Sequence, residues 1–146
     1  MSGLAHAQSF RDLIVYRKSR QLQKDIFKLT KSFPREEMFS LSDQIRRSSR
    51  SIGANIAEAW AKRRYEKHFI NKLTDSDGEQ METQHWIETA LECEYIDSKT
   101  SSQLIQNCLE IGRMLGSMMD KAEMFCGEPP RSMREEAAEY LVETDN

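Results

Sequence analysis

The chain has 146 residues, of which 38% are apolar and 31% charged, and its formal net charge is −3. That length suits one domain, and the near balance of charge points in bulk to neither nucleic acid nor a membrane. No apolar run approaches the ~20 residues needed to cross a bilayer, and six glycines with three prolines supply too few turns for a many-stranded fold.

Residues 1–9 read as a flexible tail. They lack a basic region followed by an apolar stretch, so no secretory signal is expected and the cytoplasm is the expected location. Cys93, Cys108 and Cys126 form no CxxC pair. They predict reduced core thiols rather than a zinc site or a disulfide framework.

Residues 10–126 read as the folded unit. Ser9 is placed to cap the first helix, with Asp12 favourable in its first turn. Val15, Ser19, Leu22, Ile26, Leu29 and Phe33 then recur at spacings of four and three, one helical face, until Pro34 redirects the chain. A second helix is predicted from about Ser40 to Arg64, with Leu41, Ile45, Ile52, Ile56 and Ala59 inward. Gly53 costs about 1 kcal/mol against Ala in its interior, and a close helix–helix approach is the simplest compensation.

The third helix is predicted from about Tyr65 to Glu94. Its ends are apolar, but Asp75–Gln80 is polar on every side. Asp97 or Ser98 should cap a fourth helix, whose stripe Leu104, Cys108, Ile111, Leu115, Met118, Ala122 and Phe125 is the strongest periodic signal in the chain. Gly127 and Pro129 should end it. Residues 127–146 form an acidic extension, either a short helix or disordered. Four amphipathic helices with short connections predict an all-α, antiparallel up-down-up-down bundle. Ile14, Phe27, Ile105, Leu109 and Met119 lie off the main stripes, and self-association is a natural outlet for them.

Catalytic chemistry finds little support. Glu82-Thr83-Gln84-His85 is one Glu-x-x-His motif where a two-metal bundle site needs two. There is no nucleophile elbow and no phosphate loop. No cofactor or metal is expected.

Two other features stand out. Gln44, Ser48, Asn55 and Glu58 on helix two, with Asp75, Glu79, Glu82 and Gln84 on helix three, form a polar seam. Its two readings are a register-fixing network and a pocket lining. Arg46, Arg47 and Arg50 make one basic cluster; Arg63, Arg64 and Lys67, interleaved with Trp60 and Tyr65, make another. Arginine beside aromatic rings suits phosphate contact and base stacking, although a charge run at a helix end is also an ordinary solvated face.

Several stretches are similar to the four-helix-bundle protein family first noticed as products of intervening sequences in bacterial large-subunit ribosomal RNA genes. They are Phe10–Tyr16, Phe33–Glu37, Leu41–Ser49 continuing through Ser51–Glu58, Lys72–Asp77, Glu82–Trp86 and Glu94–Ile96. The residue after Asn55-Ile56-Ala57-Glu58 is Ala59 where the family usually has glycine. The resemblance covers about residues 10–125. It implies an antiparallel bundle assembled as a ring, typically a homopentamer, with no cofactor and no established enzyme activity. A distant relative, the accessory protein of diversity-generating retroelements, implies nucleic acid as a partner by analogy. The leading expectation is therefore a non-enzymatic homo-oligomer associated with RNA or DNA. The alternative is a protein-interaction scaffold in which the basic groups meet acids of other subunits, and a metal-dependent enzyme is third.

Overall fold

The computed structural model describes residues 8–127 and 131–143. Four long helices follow one another: α1 (Ile14–Thr30), α2 (Leu41–Ala61), α3 (Glu66–Glu92) and α4 (Ser98–Asp120), with a short α5 (Arg131–Glu136) after them. Among the described residues there is no strand, only an isolated bridge between Leu13 and Leu141. The all-α reading from periodicity therefore holds. α2 packs against α1 and α3, α3 against α4, and α4 returns to α1. This is the neighbour pattern of an up-down-up-down bundle.

The helix ends show where local chemistry prevails. Ser9 Oγ accepts the Arg11 N–H at 3.2 Å, but the element it caps is a single 3₁₀ turn, Phe10–Asp12. Leu13 is extended, so α1 starts only at Ile14 and has no side-chain cap. After Thr30 the chain turns, and Pro34 opens another 3₁₀ turn, Arg35–Glu37. Asp97 caps α4 as expected, its Oδ1 accepting the Thr100 N–H at 2.7 Å. α4 ends at Asp120, earlier than Gly127, and a 3₁₀ turn at Ala122–Met124 carries the rest of its stripe inward.

The inward stripes are buried on all four helices. Val15, Leu22 and Ile26 meet Ile45, Ile52 and Ile56, with Phe69, Leu73 and Ile87 from α3 and Cys108, Ile111, Leu115 and Met118 from α4. The polar middle of α3 is not a weak point, because its small polar groups are paired inside the bundle. Ser76 Oγ donates to the Ile52 carbonyl at 2.8 Å. The Thr83 hydroxyl meets Ser48 Oγ at 2.9 Å. Gln80 is buried, donates to Asp77 at 2.9 Å and accepts from Gln84 at 2.7 Å. A Cβ on Gly112 would stand 2.7 Å from Gln80 Nε2, so glycine at that position lets α4 close over this polar layer. Gly53 likewise sits at a close approach, where a Cβ would lie 3.0 Å from Ser19 Oγ and 3.5 Å from the Tyr16 ring.

The three cysteines are free, but only Cys108 is fully in the core, where burial pushes its thiol up to about 12. Cys93 is exposed at the end of α3, because the helix stops before the residue can turn inward. The C-terminal segment folds back onto the bundle. Tyr140 and Leu141 are buried, and the Tyr140 ring stands edge-on to Phe125 at 5.3 Å. Its hydroxyl is hydrogen-bonded to Ser117, and the Val142 N–H donates to the Asp12 carbonyl at 2.6 Å. Lys121 pairs with Glu136 and Glu139 at 3.4 and 3.5 Å. The segment thus straps the end of α4 to the start of α1.

Acid should loosen this structure. The Ser40 hydroxyl and then the Tyr95 phenol hold the Glu37 carboxyl below its ordinary value. Lys72 does the same for Glu58, and the Thr100 N–H for Asp97. The unfolded chain therefore takes up protons first, and the stabilisation, complete above the unfolded carboxyl range near ~4.3, is lost as pH falls through the lower folded values. A fall in melting temperature between pH 5 and pH 3, reduced in Glu37→Gln, is the expected result of a thermal melt series.

Candidate nucleic-acid interface

Charge is segregated between the helices. α1 carries five basic side chains and one acid, whereas α3 carries seven acids and two basic side chains. Near-neutral totals therefore conceal a basic α1–α2 face.

The two predicted basic clusters lie about 20–25 Å apart along α2, at 1.5 Å per residue, and are not one patch. At the α2–α3 turn, Arg63 is half-buried. Its guanidinium lies 3.5 Å from the centroid of the Trp60 ring, and its Nε donates to the Trp60 carbonyl at 2.9 Å. Burial lowers the Arg63 pKa from its ordinary value. One face of Trp60 is therefore occupied by the chain's own arginine. Arg64 stands over Tyr65 at 5.8 Å, and Tyr65 leans on His68 with ring centroids 5.4 Å apart. Lys67 is exposed.

In the other cluster the three arginines differ. Arg47 turns to α3, where it is hydrogen-bonded to Glu82 and lies 3.5 Å from Glu79. The Glu82 bond raises the Arg47 pKa. Burial pushes the Glu82 carboxyl up, but donors from Trp86 and Arg47 outweigh it and leave the carboxyl below its ordinary value. Arg46 and Arg50 point the other way, to α1. Their guanidiniums lie 5.0 and 5.6 Å from the centroid of the Phe27 ring, and Lys31 Nζ lies 4.7 Å from it. Arg46 Nε also donates to Thr30 Oγ1 at 2.7 Å. Cations over an aromatic face are held by its quadrupole, so Phe27 is a platform that fixes three positive groups.

Two open grooves meet at Arg50. One, of about 650 Å³, runs beside α1 past Arg17, Arg20, Lys24 and Phe27. The other, of about 450 Å³, runs along α2 past Arg47, Arg46 and the carboxylate of Asp43 to Met38. Among the described residues no ion pair involves Arg17, Arg20, Lys24, Lys31, Arg46 or Arg50, whereas Lys18, Arg47, Lys72 and Lys121 all have acidic partners. The α1 part of this band was missed in the sequence reading. Its signal was present in the spacing of Arg17, Arg20, Lys24, Phe27 and Lys31, one stripe of a 3.6-residue helix.

The polar seam divides in the same way. Ser48, Glu79, Glu82 and Gln84 join the contacts between and along α2 and α3 described above. Glu58 and Asp75 meet at Lys72, at 2.8 and 3.8 Å, on the exposed side. Asn55 donates to the Ser51 carbonyl of its own helix at 2.9 Å. Gln44 is half-buried with no side-chain hydrogen bond to the seam among the described residues. His85 is exposed, edge-on to Trp86 at 4.7 Å. Among the described residues no three His, Cys, Asp or Glu side chains come together to hold a metal ion, and no helix is long and apolar enough to cross a membrane.

Arg47→Glu would set three carboxylates together at the α2–α3 contact. Like charges at such range predict a loss of about 1 kcal/mol, small because the site is half exposed. Chemical denaturation of Arg47→Glu beside Arg50→Glu checks this, and only the former should lose stability.

Comparison with known proteins places this architecture. No curated protein matches the sequence significantly. A solved structure from Bacteroides thetaiotaomicron VPI-5482, a protein of unknown function from the S23 ribosomal protein family, is 35% identical with a TM-score of 0.67. The match covers 73% of this chain and 96% of that one. The profile of the 23S rRNA-intervening sequence proteins matches residues 11–117, the stretch holding α1 to α3 and most of α4, and the chain therefore belongs to the 23S rRNA-intervening sequence protein family.

Proposed function

We propose that this protein is a non-catalytic, homo-oligomeric bundle of the cytoplasm that associates with RNA through its α1–α2 face. The observation that supports this reading is the band of basic side chains without ion pairs among the described residues: Arg46 and Arg50 over Phe27, and Arg20 and Lys24 in the groove it lines. Unpaired cations along a groove release counterions when phosphates replace them, which favours a polyanion over a small ligand. The family's link to ribosomal RNA makes RNA the natural polyanion. The test is fluorescence anisotropy with a labelled RNA across a salt series, alongside native mass spectrometry of the purified protein. Affinity should fall steeply with log salt, and the protein should run as a multimer. Salt-independent or absent binding at low ionic strength would remove the RNA reading.

The charge segregation favours a second reading, in which the basic α1–α2 face of one copy meets the acidic α3 face of the next. Such a head-to-tail contact closes into a ring when its rotation permits. Under this reading the multimer dissociates in high salt and nucleic acid does not bind. Under the first, assembly survives salt that releases RNA.

A further inference from the structure

We infer that the α1–α2 band is a track for one extended nucleic-acid strand, with a base seated at Phe27, rather than a surface for duplex. The inference rests on the RNA-associated reading and narrows it. The positive groups do not crown a projecting helix. Arg17, Arg20 and Lys24 of α1 line one groove with Arg50 of α2, and Arg46 and Arg50 line the second along α2. A duplex offers a helix a major groove about 12 Å wide, so it would be read by a ridge, not by such grooves. A single strand fits the concave form, its phosphates following the cations and its bases free to turn inward.

The second element is aromatic. Phe27 is 37% exposed in the middle of the band, with the Lys31, Arg46 and Arg50 cations over its ring, so a base seated there stacks on the guanidiniums as well as on the ring. The groove on the α2 side ends at Met38, and the next residue, Phe39, is 89% exposed. A ring that exposed contributes nothing to the fold. A cationic groove with rings at intervals is the common design for single strands, because every base has a face to stack while the backbone supplies the charge. From Arg17 to Lys31 the α1 part of the track spans about 20 Å, enough for several nucleotides.

The experiment compares a labelled 15-nucleotide oligouridylate, the same length of RNA duplex, and polyglutamate as a polyanion without bases, each at 50 mM salt. The full chain is used with Phe27→Leu, Phe27→Trp and Phe39→Ala, and circular dichroism confirms the fold of each. The single strand should bind at least ten-fold more tightly than the duplex or polyglutamate. Phe27→Leu should weaken the single strand about ten-fold, and duplex and polyglutamate by no more than about two-fold through the loosened cations, and Phe27→Trp should restore single-strand binding. Phe39→Ala should weaken the single strand by a smaller factor. Equal affinity for single strand and duplex, or an equal loss on all three probes in Phe27→Leu, overturns the single-strand track and leaves RNA association standing. Preference for polyglutamate, or no binding of any RNA, overturns both.

Discussion

Reversing two charges, Arg20→Glu with Arg50→Glu, should reduce RNA affinity by roughly 100-fold or more at low salt. Each is exposed and lies at the groove beside α1, and neither forms an ion pair among the described residues. A charge-assisted hydrogen bond contributes about 1.5–3 kcal/mol, and 1.4 kcal/mol is tenfold in affinity. The salt dependence should flatten as well, because each phosphate contact on a single strand contributes about 0.7 to the slope of log K against log salt. The loss of two contacts lowers the slope by about 1.4. Stability should move by less than ~0.5 kcal/mol, as for other surface changes. Arg113→Glu on the exposed side of α4 is the control and should leave binding within two-fold. Anisotropy titrations at three salt concentrations measure all of this. A double variant that keeps wild-type affinity would place the RNA contact elsewhere.

Phe69→Ala should be the most damaging single truncation of the core. Phe69 is fully buried near the start of α3 and stacks with Phe125 at 5.8 Å. Phe125 in turn supports Tyr140, so one ring links α3, the turn after α4 and the C-terminal strap. Removal of a buried phenyl ring costs about 3–5 kcal/mol in lost transfer energy and cavity. Against a typical total of about 5–15 kcal/mol, that should lower the melting temperature by about 10 °C or more. Phe69→Leu, which keeps most of the volume, should cost less than about 1.5 kcal/mol. Urea melts give both values. A Phe69→Ala loss below 1 kcal/mol would mean that the cluster relaxes around the gap.

The fold was legible because its determinants are local and periodic. The stripes of α2 and α4 are buried as spaced, that of α1 is buried except for the half-buried Leu29, whose neighbour Thr30 turns inward, and Gly53 sits at the close approach its cost implied. α3 was less legible in its middle. Ser76, Gln80 and Thr83 look like a surface, and their hydrogen-bond partners sit on another helix or one turn away. The start of α1 lies a few residues later than the spacing implies, because the Ser9 cap serves a 3₁₀ turn instead, whereas the starts of α2, α3 and α4 fall within a residue of those expected.

The candidate site was legible only in part. Arg46 and Arg50 stand out in sequence, but what distinguishes them from Arg47 is the direction of the side chain across α2. One turn of helix sends Arg47 to the acids of α3 and Arg46 and Arg50 to Phe27. The pairing of Arg63 with Trp60 is equally invisible, since the same three-residue spacing would suit a free stacking surface. The α1 half of the band is legible as a helical stripe, but its meeting with Arg50 of α2 is not, and a chain with a net charge of −3 gives no bulk hint of it.

The strap has a consequence for the order of events during synthesis. The α1–α2, α2–α3 and α3–α4 pairs can form as each helix emerges, because these partners are neighbours in the chain, whereas α4 against α1 joins distant segments. The Val142 N–H reaches back to Asp12, and Leu141 to Leu13, so this contact closes a loop of nearly the whole described chain. Such long-range contacts form last and slowly. On a ribosome adding about 5–20 residues per second, the α1 and α4 end cannot be latched until residues 140–142 have emerged, and the strap is then the contact that ties the two helices together.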